Sequence, residues 1–178
     1  CLEQAQTGTV IFVDPIMGDE GKLYNGVTPE AIRSMREMLS VAHLTYPNYT
    51  EACYLTDTPY REEGVDAAEA RRLVDELRRI GSRSVLITSI MVDGTHCVVG
   101  YNHFKDSHFC FEYKEIPVHF PGTGDIFSAV LIGHLLKGEP LVKSTRSAMD
   151  TVARLIELNK DNADKNRGIP LENFLDEI

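Results

Sequence analysis

The chain alternates short apolar runs with longer segments of helical periodicity, and this alternation restricts its fold more than any other feature. Three runs rich in branched apolar residues predict buried strands: residues 9–13, 41–45 and 84–87. Helices are predicted between them from Thr28 to about Ser40 and from Asp66 to Gly81, each with a side chain suited to an N-cap. Strands that alternate with helices pair in parallel, so we expect an α/β fold with both faces of the sheet covered.

The remaining segments complete this prediction. Residues 17–26 are rich in Gly, Asp and Asn and predict a loop. Residues 96–101 and 108–113 predict a β-hairpin around a polar turn. Two further helices are expected at 125–137 and 141–158, with a short one in the acidic tail at 171–178. No internal linker interrupts the chain, which predicts a single domain.

Charge and cysteine spacing argue against several classes of protein. Eighteen Lys and Arg against 27 Asp and Glu give a formal charge of −9, which does not suit displacement of the counterions of nucleic acid. The four cysteines lack Cys-x-x-Cys spacing and the six histidines lack metal-binding spacing, so no zinc site or disulfide framework is predicted. No apolar run approaches the ~18 residues that cross a membrane. We therefore expect a reduced cytoplasmic protein with no nucleic-acid or membrane partner.

The segment Pro-Gly-Thr-Gly-Asp-Ile-Phe-Ser-Ala at 121–129 carries the most specific chemistry. Gly122 and Gly124 let the backbone approach a ligand, and the helix behind them adds partial positive charge that attracts an anion. Asp125 could take a proton from a substrate hydroxyl while backbone N–H groups hold the developing phosphate charge. The alternative is a glycine turn in which Asp125 is only an N-cap. A Walker loop is excluded, because G-x-x-x-x-G-K-[ST] is absent.

Polar residues also follow each of the three predicted strands. Asp14 comes after the first strand, Asn48 after the second, and Thr88 and Ser89 after the third. Ligands of parallel sheets bind beyond the carboxyl ends of the strands, which makes these residues candidates for a ligand site.

Each of these residues also has a purely structural alternative. Asn48 and Glu51 have the spacing of a capping box, Asp14 before a proline is typical of an Asx turn, and Asp19 fits an ordinary loop. As carboxylates near a strand end, Asp14 and Asp19 would suit Mg²⁺, which needs few protein oxygens. Thr88 and Ser89 could simply end their strand.

Together these motifs resemble the pyridoxal kinases of the ribokinase-like superfamily. Gly-Thr-Gly-Asp before an apolar helix is similar to the superfamily's anion-hole motif. Val-Asp-Pro-Ile-Met-Gly-Asp at 13–19, followed by Gly21 and Tyr24, resembles the pyridoxal kinase signature D-P-[VIL]-[ML]-G-D…G…Y. Tyr-Pro-Asn-Tyr-Thr-Glu-Ala at 46–52 is similar to the family's T-P-N-x-x-E-A segment, and Leu-Ile-Thr-Ser at 86–89 to the strand end that faces the nucleotide.

The resemblance implies a fold and an activity. The fold would be a three-layer α/β/α sandwich with a mostly parallel sheet and a hairpin, and residues 1–178 would be the carboxyl-terminal part of one kinase domain. The chain begins at Cys1, and the family's amino-terminal region has no counterpart in it, so we expect that region to be missing. The activity would be ATP-dependent phosphorylation of the hydroxymethyl group of pyridoxal, pyridoxine or pyridoxamine, by a homodimer when full length.

The resemblance also assigns roles to individual residues. Asp125 would be the catalytic base, beside an oxyanion cradle of Gly122, Thr123 and Gly124. The predicted nucleotide contacts are Asn48, Glu51, Thr88, Ser89, Tyr24, Phe120, Thr123 and Gly124. The predicted Mg²⁺ site comprises Asp14, Asp19 and Glu51. A monovalent cation such as K⁺ is a further expectation, although Tyr46 replaces the family's usual Thr and receives no role in binding it.

Two other functions stay open at this point. Hydroxymethylpyrimidine kinases of thiamine synthesis share the fold and several motifs, but Gly18 and Asp19 favour the pyridoxal branch. A chain without the region that supplies most of the substrate pocket could also be a nucleotide-binding remnant with no catalytic activity.

Overall fold

The structure, a computed structural model, describes residues 9–162 and 164–174. The chain divides into two units, Cys1–Lys114 and Glu115–Ile178. The described strands of the first unit are β1 Phe12–Val13, β2 Gly18–Asp19, β3 Lys22–Leu23, β4 Leu44–Thr45, β5 Ser84–Val92, β6 Thr95–Asn102 and β7 Ser107–Glu112. Its described helices are α1 Pro29–Leu39, α2 Tyr49–Thr56 and α3 Ala67–Ile80.

Five of these strands form one mixed sheet in the order β1-β4-β5-β6-β7. The pairs β1–β4 and β4–β5 are parallel, so the three strands predicted from the apolar runs are neighbours, as an α/β fold requires. The pairs β5–β6 and β6–β7 are antiparallel, which confirms the predicted hairpin. The carboxyl ends of β1, β4 and the first part of β5 therefore meet at one edge of the sheet.

The third strand is longer than the sequence pattern predicted. It continues past Ile87 to Val92 and turns directly into β6 at Asp93 and Gly94. Both turn residues have positive φ, 48° and 80°, as a two-residue hairpin turn requires. The Asp-Gly pair is a sequence signal for this turn, and the prediction from the apolar runs did not include it.

Residues 17–26 do not form the simple loop that was predicted. β2 and β3 pair antiparallel as a separate two-stranded ribbon, which we call the β2–β3 ribbon. Its turn consists of Glu20 and Gly21, with φ of 48° and 77°. These values are those of a hairpin turn, and the prediction was wrong because the polar composition of the segment concealed the turn.

The helices of the first unit begin where capping residues allow. Thr28 caps α1 and Asp66 caps α3, each by accepting a hydrogen bond from the backbone N–H three residues on. These helices and α2 pack against the sheet in one apolar core, to which the strands contribute every second residue. The core includes Val13, Leu39, Leu55, Leu73, Leu77, Val85, Ile87, Cys97 and Val99. The core supports the strand ends from which the candidate site is built.

The second unit contains α4 Thr123–Leu136, α5 Leu141–Asn159 and a 3₁₀ turn at Leu171–Asn173 among its described residues. α4 and α5 pack against each other. α4 begins two residues earlier than predicted, so Thr123 and Gly124 belong to its first turn. Of the tail helix predicted at 171–178, the first three residues form this 3₁₀ turn, and residues 175–178 lie outside the described part. No described helix has the length and apolar character needed to cross a membrane.

Candidate functional site

Three strand ends of the first unit come together as the sequence predicted. Asp14 directly follows β1, and the Thr45 hydroxyl at the end of β4 donates to the Val13 carbonyl at 3.0 Å. Beyond β4, the Pro47 carbonyl accepts from the Thr88 N–H at 3.0 Å, and Asn48 and Thr88 form a parallel bridge. The polar residues after these strands therefore share one edge of the sheet.

Thr88 and Ser89 lie at an irregularity within β5 and not at its end. The pairing of β5 with β6 shifts register between Ile87 and Ile90. Ser89 has φ of 54°, a value uncommon for residues other than Gly, and it is exposed. This β-bulge lies beyond the part of β5 that pairs with β4, so it presents Thr88 and Ser89 beside the other strand ends.

The predicted capping box is present at the start of α2, and its two side chains also bond to the segment that contains Met17 and Gly18. Asn48 Oδ1 accepts from the Glu51 N–H, and Glu51 Oε2 accepts from the Asn48 N–H, each at 2.9 Å. In addition, Glu51 Oε1 accepts from the Met17 N–H at 2.9 Å, and Asn48 Nδ2 donates to the Gly18 carbonyl at 2.8 Å. Both residues thus cap α2 and join its first turn to the β2–β3 ribbon.

Glu51 is a buried acidic group that accepts hydrogen bonds from backbone N–H groups. Only 4% of the Glu51 surface is exposed. Burial raises the pKa of Glu51 to about 7, because the N–H groups of Met17, Asn48 and Gly18 only partly offset the loss of hydration, and the negative charge of Asp14 adds to the rise. A carboxylate in this state is poised to gain from a nearby cation.

We expect the metal-free protein to lose stability as pH rises from 4.5 to 7, with Glu51 as a main cause. In this interval folded Glu51 holds its proton while the unfolded chain, with an ordinary pKa of 4.5, has released it. Linkage then lowers the free energy of unfolding by about 3 kcal/mol as pH rises across the interval. Urea unfolding at pH 4.5 and pH 7 measures this difference.

The same measurement on Glu51→Gln should show a flatter pH dependence, because the amide does not titrate. Glu63→Gln, which changes an exposed carboxylate of the same unit, is the matched control and should keep the wild-type dependence. An unchanged pH dependence in Glu51→Gln would show that Glu51 does not titrate in this range.

Tyr24, which follows the β2–β3 ribbon, interacts electrostatically with Asp19 and Glu51. Partial burial raises the pKa of Tyr24, and the charges of Asp19 and Glu51 raise it further, so the three groups are electrostatic neighbours. Among the described residues no group of three or more His, Cys, Asp or Glu has the arrangement of a metal site. The predicted set of Asp14, Asp19 and Glu51 is therefore not a complete protein cage. It fits Mg²⁺ only as one or two carboxylates that act with water and phosphate oxygens.

In the second unit, the glycine segment forms the exposed start of α4. Gly122 is the N-cap with φ of 87°, a left-handed conformation that favours glycine, and no described side chain caps the helix. A side chain at Gly124 would meet open space. The first backbone N–H groups of α4 therefore have no side-chain cap among the described residues, as an anion site at a helix start requires, and the anion site itself stays a prediction.

Asp125 lies within the first turn of α4 and is exposed. Because Gly122 occupies the N-cap position, the alternative that Asp125 is a simple N-cap is wrong. The Thr123 hydroxyl donates to the carbonyl of Phe120 at 3.3 Å, and Phe120 is itself buried. The Thr123 contact joins the first residue of α4 to the segment before it, and Asp125 is exposed to solvent.

Two residues that hold the β2–β3 ribbon on α2, Thr50 and Tyr54, were not predicted from the sequence. Thr50 Oγ1 accepts from the Gly21 N–H at 2.9 Å, and the Tyr54 hydroxyl donates to the Gly21 carbonyl at 3.3 Å. The partners are 29 and 33 residues apart in the chain, so no local pattern could have indicated these contacts.

The first unit has a mixed α/β sheet with polar strand ends, and the second has a helix that begins at a glycine turn. Both features are compatible with the class of kinases that the sequence motifs resemble. The chain matches the phosphomethylpyrimidine kinase family over residues 1–170 and belongs to that family. The expected resemblance to pyridoxal kinases of the ribokinase-like superfamily is confirmed by its relatives.

Among these relatives, the pyridoxal kinase of Arabidopsis thaliana is 34% identical over 167 residues, which are 90% of this chain and 52% of that protein. A Bacteroides thetaiotaomicron protein assigned to the phosphomethylpyrimidine kinases, crystallised with pyridoxal, superposes with a TM-score of 0.86 at 32% identity, over 94% of this chain and 60% of its own. Pyridoxal kinase from Leishmania donovani, in complex with ADP and pyridoxine, superposes with a TM-score of 0.74 at 26% identity, over 98% of this chain and 59% of its own. The chain thus spans about half the length of the curated relatives it matches, and the likeness confirms the predicted fold class.

Proposed function

We propose that this chain supplies the nucleotide-binding and catalytic part of an ATP-dependent kinase that phosphorylates the hydroxymethyl group of a B6 vitamer. The reaction would transfer the γ-phosphoryl group of ATP to the substrate oxygen, forming the phosphate ester and ADP and releasing the hydroxyl proton. Pyridoxal, pyridoxine and pyridoxamine are the candidate acceptors.

The observation that carries this proposal is the exposed turn of Gly122, Thr123, Gly124 and Asp125 at the start of α4. The backbone N–H groups of the turn would hold the charge that develops on the transferred phosphoryl group. Asp125, on the first turn and open to solvent, would accept the hydroxyl proton. A base and an oxyanion cradle on adjacent residues would serve phosphoryl transfer to an alcohol, together with a metal ion that neutralises the phosphate charge.

The polar residues of the first unit would serve the nucleotide and its metal. Asn48, Thr88, Ser89 and Tyr24 are the proposed nucleotide contacts of this unit. In the second unit, the glycine turn is proposed as a phosphate contact, whereas Phe120 is only 1% exposed and its side chain receives no ligand role. Asp14, Asp19 and Glu51 would hold Mg²⁺ through water as well as directly, and the bound ion would neutralise phosphate charge. The raised pKa of Glu51 supports this assignment, because a cation beside a buried carboxylate relieves the cost of its charge.

The choice of acceptor is the part of the proposal that the relatives support most directly. The Arabidopsis relative is a pyridoxal kinase, and the Bacteroides and Leishmania structures contain pyridoxal and pyridoxine. The competing function, phosphorylation of a hydroxymethylpyrimidine, is favoured by the name of the family that matches residues 1–170. Both acceptors carry a primary hydroxymethyl group on a heteroaromatic ring, so Asp125 would do the same chemistry in each.

An acceptor assay tests the proposal. The protein in its full natural length is incubated with Mg²⁺ and ATP and with one acceptor at a time, and ADP release is followed together with the ³¹P signal of the ester. We expect kcat/KM for at least one B6 vitamer to exceed that for hydroxymethylpyrimidine by about tenfold or more, the discrimination that one or two pocket contacts supply. The reverse preference would assign the thiamine pathway. ATP binding without transfer to either acceptor would identify a remnant.

A homodimer, a cytoplasmic location and one continuous kinase domain stay predictions from the sequence. Sedimentation of the full-length protein tests the first of these, since a homodimer has twice the monomer mass.

A further inference from the structure

The β2–β3 ribbon is held on α2 by more than the capping-box residues. Asn48 and Glu51 contact its base at Met17 and Gly18. At the other end of the ribbon, both backbone groups of Gly21 are engaged by side chains of α2. The Gly21 N–H donates to Thr50 Oγ1 and the Gly21 carbonyl accepts from the Tyr54 hydroxyl, as described above.

The turn is also enclosed from the side by an aromatic ring. A Cβ atom at Gly21 would lie 2.7 Å from Cδ1 and 2.8 Å from Cε1 of Tyr60, closer than real contacts allow. Tyr60 is in turn supported by Tyr49 of α2, with the ring centroids 5.0 Å apart. Glycine at this position is therefore required both by its φ of 77° and by the ring against it.

A ribbon of two-residue strands has too few hydrogen bonds to be stable alone. Its position must come from these contacts, and it carries Asp19 at one side of the turn and leads to Tyr24 at the other. Thr50 is 2% exposed, so its hydroxyl is fixed by the surrounding helix and offers Gly21 an acceptor at a defined place. Loss of that acceptor frees the tip of the ribbon while its base stays attached through Asn48 and Glu51.

We propose that Thr50 and Tyr54 are positioning residues, which hold the tip of the β2–β3 ribbon so that Asp19 and Tyr24 face the metal–nucleotide. This inference rests on the proposed function in one respect, the binding of Mg²⁺ and ATP by this unit. Neither Thr50 nor Tyr54 is assigned a contact with the nucleotide. Among the described residues, their hydroxyl groups bond to Gly21, and through Gly21 they would position Asp19 and Tyr24.

Two variants remove one contact each with little change in shape, Thr50→Val and Tyr54→Phe. We expect each to speed amide exchange at Gly21 and Lys22 and to weaken binding of Mg²⁺–ATP by about 3- to 10-fold, the effect of one lost hydrogen bond. Thr50→Ser keeps a hydroxyl and should restore both properties. Thr56→Val is the matched control in the same helix, because the Thr56 hydroxyl bonds to Ala52 and Thr58 and not to the ribbon.

Amide exchange by mass spectrometry and calorimetry with Mg²⁺–ATP, both on the full-length protein, test the two parts of the inference separately. Unchanged exchange at Gly21 in both variants would show that the contacts do not hold the ribbon. Faster exchange with unaltered Mg²⁺–ATP affinity would show that the ribbon does not position binding groups, and either result overturns the inference. Wild-type protein that binds Mg²⁺–ATP but phosphorylates no acceptor contradicts the proposed function alone. Wild-type protein that binds no Mg²⁺–ATP contradicts both, before any variant is made.

Discussion

Replacement of Asp125 by Ala is expected to lower kcat for phosphoryl transfer by about 10²–10⁴-fold, the usual contribution of a general base. The KM for ATP should change little, because the N–H groups at the start of α4 are backbone groups and remain. The structure strengthens this expectation, since Gly122 and not Asp125 is the N-cap of α4. Removal of Asp125 therefore does not uncap the helix, and only a weak interaction with the helix dipole is lost, about 0.3–1 kcal/mol.

Asp125→Asn tests the proton-accepting role with almost no change in the size of the side chain, because the amide is as large as the carboxylate but cannot act as the base. Its kcat should fall as far as that of Asp125→Ala. Asp150→Ala in α5 removes another exposed carboxylate of the same unit and should leave kcat unchanged. Turnover near the wild-type value in both Asp125 variants would limit this residue to a favourable charge on the first turn of the helix.

Removal of Mg²⁺ by excess EDTA is expected to reduce phosphoryl transfer by at least about 100-fold, and added Mg²⁺ should restore it. The reason is a shortage of other positive charge along the glycine segment. Between Lys114 and Lys137 the sequence contains no Lys or Arg, and the chain as a whole has a formal charge of −9. The triphosphate therefore needs a bound cation, which a few carboxylates suffice to hold.

Titration of activity with Mg²⁺ identifies the protein groups involved. Asp14→Asn and Glu51→Gln should each need a higher Mg²⁺ concentration for half-maximal rate, whereas Glu63→Gln should behave as wild type. Activity that persists in excess chelator would refute the metal assignment. The same assay with K⁺ replaced by Na⁺ tests the expected monovalent cation, whose removal should lower the rate.

Much of the fold followed from local features of the chain. The apolar runs at 9–13, 41–45 and 84–87 became the neighbouring parallel strands, because strands buried by crossover helices need apolar residues on both faces. Thr28 and Asp66 cap their helices as their positions suggested. The glycine turn could be recognised from the sequence because the left-handed conformation of the N-cap favours glycine, and glycine occupies position 122.

Other features had no signal in the local sequence, because they depend on contacts between residues that are distant in the chain. The β5 bulge at Ser89 depends on where β5 leaves β4 and continues beside β6. The pKa of Glu51 rises because α2 and the residues around Met17 bury its carboxylate. Met17 and Glu51 are 34 positions apart in the chain. Whether an acid is hydrated or buried is a property of its neighbours in space.

The sequence by itself determined the parallel arrangement of the first three strands, the hairpin and the residues that open α4, since each depends on periodicity or on the backbone freedom of a few adjacent residues. It also carried the family motifs in their order. Only the tertiary structure decided that residues 17–26 form a ribbon, that Gly21 of this ribbon is held by Thr50 and Tyr54, and that Glu51 is buried. These depend on packing between segments about 30 residues apart, where burial and hydrogen-bond geometry, and not local preference, determine the conformation.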